Sequence, residues 1–444
     1  MKIFISAIAG FCIACLFLSP VSVRAEMSER EALIAKMNST ASPAPWPDPL
    51  VSRDGTRITD AATFVGRRQP EILRMFEDEV FGRTPRTKLP MTVEQGDEQP
   101  ALDGLALRKQ IKLVFHANGI ERTVPLLIYR PANADKPVPV IIGLNFFGNQ
   151  AVTNDPGAPL NPLWMPDPAL DGTPIAKELS GHIRRDATDQ SRGIETMWWD
   201  VPQILKAGYA VVTAYAGDFE PDFSAGIGYG IRPLFIDPQA KLVDSNGWGA
   251  LGAWAWGMSR MLDYVETDKS LDASRAVAYG FSRMGKAGLW AAAQDKRFVL
   301  VISSESGQGG ATLSHREVDE PISHMNIAFP YWMSARYHRY TDHPQDLPVD
   351  GHLLLSLIAP RPIYVGSAAG DPYSDPAGEF LSARAVTPVY RLFGEEGIET
   401  DTLPEFGVSV GGDVGYHIRD GGHSTTPLDW KLYLAFCDRH LGRN

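Results

Sequence analysis

The feature that most restricts the fold is a serine at the junction of an apolar run and a helix-forming stretch. Ser282 follows the apolar run 276–278 and precedes the alanine-rich stretch 287–293. This order predicts a strand, a sharp turn and a helix, with the serine at the tip of the turn. Strand and helix come close together at such a turn, so small residues must flank the serine. Gly280 meets this requirement, but the second glycine, Gly285, comes one position later than usual. Taken alone, the motif fits a nucleophile and a capped structural turn equally well.

The composition allows a large globular core. The chain has 444 residues, of which 44% are hydrophobic and 21% are charged. These values are ordinary for a globular protein and argue against disorder. The formal net charge of −11 argues against general binding to nucleic acid, which requires a basic surface.

The N-terminus has the pattern of a secretory signal peptide. Lys2 is followed by the apolar run 3–18, and residues 23–25 offer a small-residue cleavage site. A membrane anchor is the alternative, but the run is short for a bilayer span and ends at Ser19-Pro20. We therefore expect removal of residues 1–25 and a periplasmic or secreted protein, with no membrane association after cleavage.

The cysteines support no disulfide in the mature chain. Cys12 and Cys15 lie in the predicted signal peptide, which leaves only Cys437. Stability must then come from a large core, which the length permits. Loss of Lys2 and Arg24 would change the formal charge from −11 to −13.

Residues 26–444 are predicted to form a single α/β domain. The proline-rich segment 26–60 fits an extended N-terminal arm, and segments 105–115 and 123–129 form a hairpin pattern across Asn118-Gly119. Helical patterns separate the later apolar runs, and the clearest of these is an amphipathic helix over 250–266. This alternation predicts a mostly parallel, doubly wound sheet with an antiparallel N-terminal hairpin in a three-layer αβα sandwich, the α/β-hydrolase fold. The predicted later strands are 138–144, 210–214, 276–279, 299–303 and 362–366.

A hydrolytic serine needs a histidine base, which in this fold follows the serine in chain order. His423 lies in the glycine-containing loop 416–424, directly before the predicted C-terminal helix 428–441. His417 is the alternative, but Ile418 after it indicates a strand position and a structural role. A metal site built on the two histidines lacks a third ligand at a recognisable spacing.

Two carboxylates could orient this base. Asp371 follows the apolar stretch 362–370, and Glu305 follows the stretch 299–304 one strand earlier. Both lie at strand ends, where carboxylates often cap loops. The spacing alone does not decide between them.

Several motifs together resemble carbohydrate esterase family 15, the glucuronoyl esterases. Ser282 begins a Ser-Arg-x-Gly-Lys sequence, Glu305-Ser306-Gly307 begins 23 residues later, and Gly422-His423 lies near the end. In this family the late glycine is expected, so the irregular turn becomes a specific marker. The similarity covers nearly the whole mature chain and includes the stretches 48–50, 54–56, 143–146, 253–256 and 359–362.

The resemblance implies roles for the residues around the serine. It selects Glu305 as the triad acid and leaves Asp371 as a secondary acid, because some bacterial members have an aspartate at the later position. It also implies that Arg283 stabilises the oxyanion through its guanidinium and backbone N–H. The alternative for Arg283 is a salt bridge on the helix.

The resemblance also implies a sugar site. Lys286 matches a lysine that contacts uronic acid hydroxyls, and Glu320 matches a sugar-binding glutamate of bacterial members. Tyr373 stands where the family commonly has a tryptophan, so the residue in contact with the sugar differs in reach. The alternative for Lys286 is a solvated position on the helix.

The expected activity is hydrolysis of (4-O-methyl-)glucuronic acid esters, as in lignin–glucuronoxylan cross-links, through a Ser-His-Glu triad and an acyl-enzyme intermediate. We expect a monomer that requires no metal or organic cofactor. The alternatives are an acetyl xylan esterase, a general carboxylesterase and, less favoured because all triad candidates are present, a non-catalytic carbohydrate-binding protein.

Overall fold

Ten strands form one mixed sheet in the described part of the chain. The computed structural model describes residues 29–39, 46–162, 187–224, 226–236 and 247–442. The strand order is β1-β3-β4-β6-β5-β7-β8-β9-β10, and β2 pairs with β3 outside this path. The strands are β1 (Met91–Glu94), β2 (Gln99–Ala101), β3 (Ala106–Ala117), β4 (Ile120–Pro131), β5 (Val138–Asn145), β6 (Ala210–Tyr215), β7 (Leu271–Phe281), β8 (Leu300–Ser304), β9 (Ile363–Ala368) and β10 (Val414–Arg419).

The sheet has an antiparallel part and a parallel part, as predicted. Strands β3 and β4 pair antiparallel up to Ala117 and Ile120, and both turn residues, Asn118 and Gly119, have positive φ. Such values suit the tight turn that an Asn-Gly pair favours. From β6 through β5 to β10, all neighbours are parallel. Strands β1 and β2 were not predicted, because they are short and their residues are largely exposed.

Helices cover both faces of the sheet. All eight residues of β5 are buried, and its alternate side chains enter two separate hydrophobic clusters, with Ile142 in one and Ile141 in the other. Burial on both faces explains the continuous apolar runs in the sequence. The α-helices of the described residues are Glu29–Ser39, Ala61–Thr63, Gln69–Glu79, Val201–Lys206, Ala216–Phe219, Ala250–Val265, Arg283–Gln294, Ile322–Ala328, Gly351–Ser356, Pro376–Ala385, Thr387–Arg391 and Pro427–His440.

The predicted amphipathic helix is present over Ala250–Val265. Its residues Leu251, Met258 and Leu262 recur at helical spacing and are fully buried in the main core. Trp254 and Trp256 of the same helix are also buried in this cluster.

The N-terminal arm is not extended throughout. It contains the helix Glu29–Ser39, whose sequence is rich in strong helix formers such as alanine, leucine and lysine. Arg30 in this helix donates to the Leu403 carbonyl over 2.6 Å, and Leu50 and Ile58 further along are buried in the main core. The described part of the arm therefore contacts the rest of the chain, and it begins with a helix.

The predicted signal peptide, with Cys12 and Cys15, lies outside the described residues. Within the described ranges, none of the helices combines the length and the apolar character that a membrane span requires. Cys437 is buried in the C-terminal helix.

The topology brings several loops to one edge of the sheet. After β5 the chain adds β6 on one side and β7 on the other, which creates a switch in strand order. Ligand sites of open parallel sheets lie outside the carboxyl ends of the strands at such a switch. The segments that follow β5, β7, β8, β9 and β10 are therefore the place to look for a site.

Candidate active site

The turn after β7 has the strained geometry of a nucleophile-bearing elbow. Ser282 has φ 55° and ψ −131°, and it begins the helix Arg283–Gln294. A non-glycine residue adopts positive φ only when its surroundings hold it there. One such restraint is the Ser282 N–H, which donates to the Ser304 carbonyl on β8 over 2.9 Å.

Two glycines allow the strand and the helix to meet at this turn. A Cβ on Gly280 would lie 2.0 Å from the carbonyl oxygen of Met284. A Cβ on Gly285 would lie 3.0 Å from the Gly280 carbonyl oxygen and 2.9 Å from Ser306 Cβ. The late glycine is thus the residue that makes close contact with β7 and with the segment after β8. Because Gly285 makes this close contact, the turn does not need a glycine at the usual position, two residues after the serine.

The imidazole of His423 lies between the serine and two carboxylates. Its Nε2 is 2.9 Å from Ser282 Oγ. On the other side of the ring, Nδ1 is 2.7 Å from Asp371 Oδ2 and 3.3 Å from Glu305 Oε2. The sequence-predicted nucleophile, base and both candidate acids are therefore brought together. Asp371 is the nearer of the two acids, whereas the resemblance ranks Glu305 first.

The two carboxylates have different surroundings. Glu305 is buried at φ 48° and accepts from Arg419 Nη2 over 2.7 Å and from the Ser424 N–H over 2.9 Å. Asp371 accepts from the Tyr373 N–H over 2.8 Å and from Ser374 Oγ over 2.6 Å. Glu305 is thus fixed by a permanent cation, and Asp371 by neutral donors from its own loop.

The charges of His423, Asp371 and Glu305 shift one another's pKa values. Burial alone would lower the pKa of His423, but Asp371 and Glu305 outweigh it and raise that pKa above its ordinary value. Burial alone would raise the pKa of Asp371, and the imidazole beside it holds that pKa below its usual range. For Glu305 burial dominates and raises the pKa, against the opposing effects of His423 and Arg419. Asp371 therefore stays ionised to lower pH than Glu305 and offers the imidazole a charged hydrogen-bond acceptor.

Ligand atoms of Glu305, Asp371 and His423 lie within 4.8 Å of one another, close enough to hold a cation. However, Glu305 already accepts from Arg419, and His423 directs its other nitrogen to Ser282. The cluster therefore has the geometry of a hydrogen-bonded chain from a serine through a histidine to two carboxyl groups.

Arg283 directly follows the serine and is held by an acidic residue. Its Nη1 donates to Asp222 Oδ2 over 2.7 Å. Its guanidinium carbon lies 4.8 Å from the ring centre of Trp332 and 5.6 Å from those of Phe146 and Phe329. The structure thus contains the salt bridge that was the alternative for Arg283, and it holds the guanidinium beside the serine turn.

Backbone donors after β5 are already engaged. The N–H groups of Phe146 and Phe147 both donate to Glu195 Oε1, over 2.9 and 2.7 Å. Glu195 is fully buried, and burial raises its pKa to about 8. This carboxyl fixes the loop whose Phe146 ring packs near Arg283.

The sugar-site candidates also lie at this edge. Lys286 Nζ is 3.5 Å from Glu320 Oε2, and both side chains are less than 10% exposed. Burial lowers the pKa of Lys286, with Glu320 opposing the shift. The Tyr373 ring is 5.3 Å from the His423 ring in an edge-on arrangement. Lys286 is therefore not on a solvated face.

His417 has a structural environment. It lies in β10, is fully buried, and its Nε2 is 2.7 Å from Asp429 Oδ1. This agrees with its predicted strand position and structural role.

Three charged residues of this edge were not predicted from the sequence: Arg419, Asp222 and Glu195. Arg419 had a usable signal, since a charged residue ends a buried strand three positions before the Gly422-His423 pair. Asp222 and Glu195 lie in segments with no periodic pattern, and their contacts arise only in the folded chain.

Comparison with known proteins agrees with the motifs. The sequence profile described as "Glucuronyl esterase, fungi" matches residues 241–394. A carbohydrate esterase from an unknown prokaryotic organism is 38% identical over 397 residues, which is 89% of each chain.

Solved structures give the same result over nearly the whole chain. The glucuronoyl esterase from Solibacter usitatus is 43% identical with a TM-score of 0.83, covering 90% of this chain and 99% of that one. A promiscuous family 15 esterase from a marine bacterial metagenome is 36% identical with a TM-score of 0.82, covering 91% and 99%. The sheet and its helix layers are thus those of the α/β-hydrolase fold. The chain belongs to carbohydrate esterase family 15, the glucuronoyl esterases, and is a carboxylic ester hydrolase.

Proposed function

We propose that the protein hydrolyses esters of (4-O-methyl-)glucuronic acid through an acyl-enzyme formed on Ser282. The observation that carries this proposal is the continuous contact from Ser282 Oγ through His423 to Asp371 and Glu305. A serine hydroxyl becomes a useful nucleophile when a base accepts its proton, and an acid must orient that base.

The reaction proceeds in two stages. In the first, His423 Nε2 takes the proton from Ser282 Oγ as this oxygen attacks the ester carbonyl, and the imidazolium then protonates the leaving alcohol. In the second, His423 activates a water that attacks the acyl-enzyme, and the uronic acid leaves. One imidazole therefore serves as base and acid in both stages.

Both carboxylates stabilise the imidazolium, but at different distances from its Nδ1. Asp371 makes the shorter contact to Nδ1 and accepts the hydrogen bond of its N–H directly. Glu305 lies 0.6 Å further from the same nitrogen and adds a buried negative charge. We therefore propose a triad in which the acid position is shared, with Asp371 as the direct acceptor. This reverses the ranking that the family resemblance implies.

Arg283 is proposed to stabilise the oxyanion. It directly follows Ser282, at the N-terminus of the helix that begins there, where backbone N–H groups point outward. The N–H groups of Phe146 and Phe147 already donate to Glu195, so they do not provide the whole of an oxyanion hole. One well-placed oxyanion donor contributes about 3–4 kcal/mol to transition-state binding.

The uronic acid ring is proposed to lie against Lys286 and Glu320, with Tyr373 on its other side. A paired ammonium and carboxylate offer both donors and acceptors to vicinal hydroxyls. Tyrosine keeps an aromatic surface and a hydrogen-bond donor, with a different reach, at the position where the family commonly has tryptophan. The natural ester is proposed to link xylan to lignin alcohols, and the enzyme to act as an exported monomer after removal of residues 1–25.

Hydrolysis of benzyl glucuronate, compared with release of acetate from acetylated xylan, tests the substrate. The proposal expects turnover of the uronate ester. Robust activity on the acetyl ester alone would replace it with an acetyl xylan esterase.

Ser282→Ala tests the nucleophile. It should abolish turnover and leave binding of glucuronate intact, measured by calorimetry. An unchanged rate in this variant would eliminate Ser282, and binding without turnover in the unmodified protein would favour a carbohydrate-binding role.

A further inference from the structure

The guanidinium of Arg419 lies inside the loop that carries His423. Arg419 ends β10 and is buried. Its Nη1 donates to the Asp420 carbonyl over 2.8 Å, and its Nη2 donates to the carbonyls of Gly422, over 3.2 Å, and Ser424. One side chain therefore binds three carbonyls of the loop 420–424, those of every second residue.

The same guanidinium joins two buried carboxylates. Nη2 donates to Glu305 Oε1 over 2.7 Å, and Nε donates to Asp429 Oδ2 over 2.9 Å. Glu305 belongs to the segment after β8, and Asp429 to the first turn of the helix Pro427–His440. Arg419 thus ties the His423 loop to its neighbours on both sides.

Other contacts also restrain the loop: Thr425 Oγ1 donates to the Met197 carbonyl, and His423 Nδ1 lies 2.7 Å from Asp371 Oδ2. Gly421 has φ 95°, and glycine backbone adopts many conformations when nothing holds it. The Gly370 N–H donates to the Gly421 carbonyl over 2.9 Å, and the Ser424 N–H donates to Glu305. Arg419 therefore supplies three of the hydrogen bonds that hold the loop in which His423 lies.

We propose that Arg419 is a positioning residue for the reaction: its guanidinium shapes the loop 420–424 so that His423 meets Ser282 on one side and the two carboxylates on the other. This proposal rests on the proposed role of His423 as the base. It assigns to Arg419 no contact with the substrate.

Arg419 also balances charge. Two carboxylates beside one nitrogen favour the imidazolium, which cannot accept the Ser282 proton. A permanent cation on Glu305 reduces that effect, and it favours the ionised form of Glu305 against the opposing effect of burial. The other titratable or charged groups that face this cluster are Asp371, Glu379, Asp429, Tyr279 and Tyr433.

Two variants separate geometry from charge. Arg419→Lys keeps the cation but loses the planar fork that serves several acceptors, so we expect kcat to fall by about 100-fold, the loss that a displacement of ~1 Å causes, with an unmoved acid limb of the kcat/KM profile. Arg419→Gln loses both the cation and the planar fork, so kcat falls similarly. The acid limb of the kcat/KM profile moves to higher pH, because the cluster binds protons more strongly once the cation is removed.

Arg361→Gln is the matched control. Arg361 also donates to backbone carbonyls, those of Phe298 and Ala292 over 2.7 and 2.8 Å, but it precedes β9 at the opposite edge of the sheet. Its loss should lower the melting temperature and leave kcat per folded molecule and the acid limb unchanged.

The assays use p-nitrophenyl acetate beside benzyl glucuronate, so the result does not depend on the sugar assignment. Turnover that survives Ser282→Ala refutes the proposed function. Loss of turnover in Ser282→Ala together with wild-type kcat in folded Arg419→Lys overturns the role of Arg419 alone. If Arg419→Gln does not fold, Arg419→Lys carries the test.

Discussion

Asp222 Oδ2 accepts a hydrogen bond from Arg283 Nη1 over 2.7 Å, and its other oxygen accepts from Tyr331 and Trp332 over 2.8 and 2.7 Å. Three donors on one carboxylate leave it little freedom. Asp222 therefore fixes the guanidinium that is proposed to meet the oxyanion, and it fixes the aromatic rings beside that guanidinium at the same time.

Asp222→Asn should slow the chemical step. Asparagine keeps the size of the side chain but removes the charge that holds Arg283. We expect kcat for benzyl glucuronate to fall roughly tenfold, about 1.4 kcal/mol of barrier, with little change in KM. Steady-state kinetics measure both. Asp263→Asn is the control, since Asp263 pairs with Arg260 and Arg297 on the partly exposed helix surface. Equal losses in the two variants would contradict a specific role.

The two acids should substitute for each other in part. Asp371→Asn should lower kcat more than Glu305→Gln, because Asp371 makes the shorter contact to His423. Each single loss should be far smaller than that of the double variant, which we expect to approach about 10⁴-fold, as for a triad without its acid. Single-turnover rates compare the three. A larger loss for Glu305→Gln would restore the ranking that the family resemblance implies.

The pH profile should have a high acid limb. The base must be neutral to accept the Ser282 proton, and the carboxylates raise the pKa of His423. The rate therefore rises with pH through a midpoint above about 6.5, the ordinary value for histidine. Asp371→Asn removes one of the charges and should move the midpoint down. A wild-type midpoint at or below the ordinary value would show that the imidazolium is not stabilised as described.

Lys286 and Glu320 should affect the uronate substrate selectively. Removing one partner alone leaves a buried unpaired charge, which destabilises the fold, so the informative variant is Lys286→Met with Glu320→Gln. We expect kcat/KM for benzyl glucuronate to fall about 10–100-fold, 1.4–2.7 kcal/mol, and that for p-nitrophenyl acetate to stay within about twofold. Parallel losses on both substrates would place the pair in the catalytic machinery or in the core.

Gly285→Ala should destabilise the protein. The new Cβ would lie 2.9 Å from Ser306 Cβ, and neither backbone segment can move freely. Overpacking of this kind costs about 1–3 kcal/mol of unfolding free energy. Chemical denaturation measures it against Gly66→Ala, where a Cβ meets nothing within 4 Å. An unchanged midpoint for Gly285→Ala would show that the elbow tolerates a wider separation of strand and helix.

Local patterns in the sequence predicted much of the fold. The central strands are buried on both faces and so appear as continuous apolar runs, and the Asn118-Gly119 turn is determined by its own two residues. Strands β1 and β2 lack both signals. The C-terminal end of the helix Ala250–Val265 differs from the prediction by one residue. The helix Glu29–Ser39 was not predicted, because the prolines that follow it indicated an extended segment.

The site was predictable as far as strand ends could be recognised. Ser282, His423, Glu305 and Asp371 all follow apolar runs or precede a helix. The contacts between Arg419 and Glu305 and between Arg283 and Asp222 span 114 and 61 residues, and no local pattern links their ends. The sequence could not rank the two acids either, because their difference is 0.6 Å at one nitrogen.

The convergence of Glu305 and Asp371 on one nitrogen has an evolutionary consequence. A descendant of this chain could lose either carboxylate by a single substitution while His423 kept an acceptor. The acid of the triad could in this way pass from the end of one strand to the end of the next, with no inactive intermediate in the lineage. A protein with both acids is therefore a viable stage between relatives that have only one.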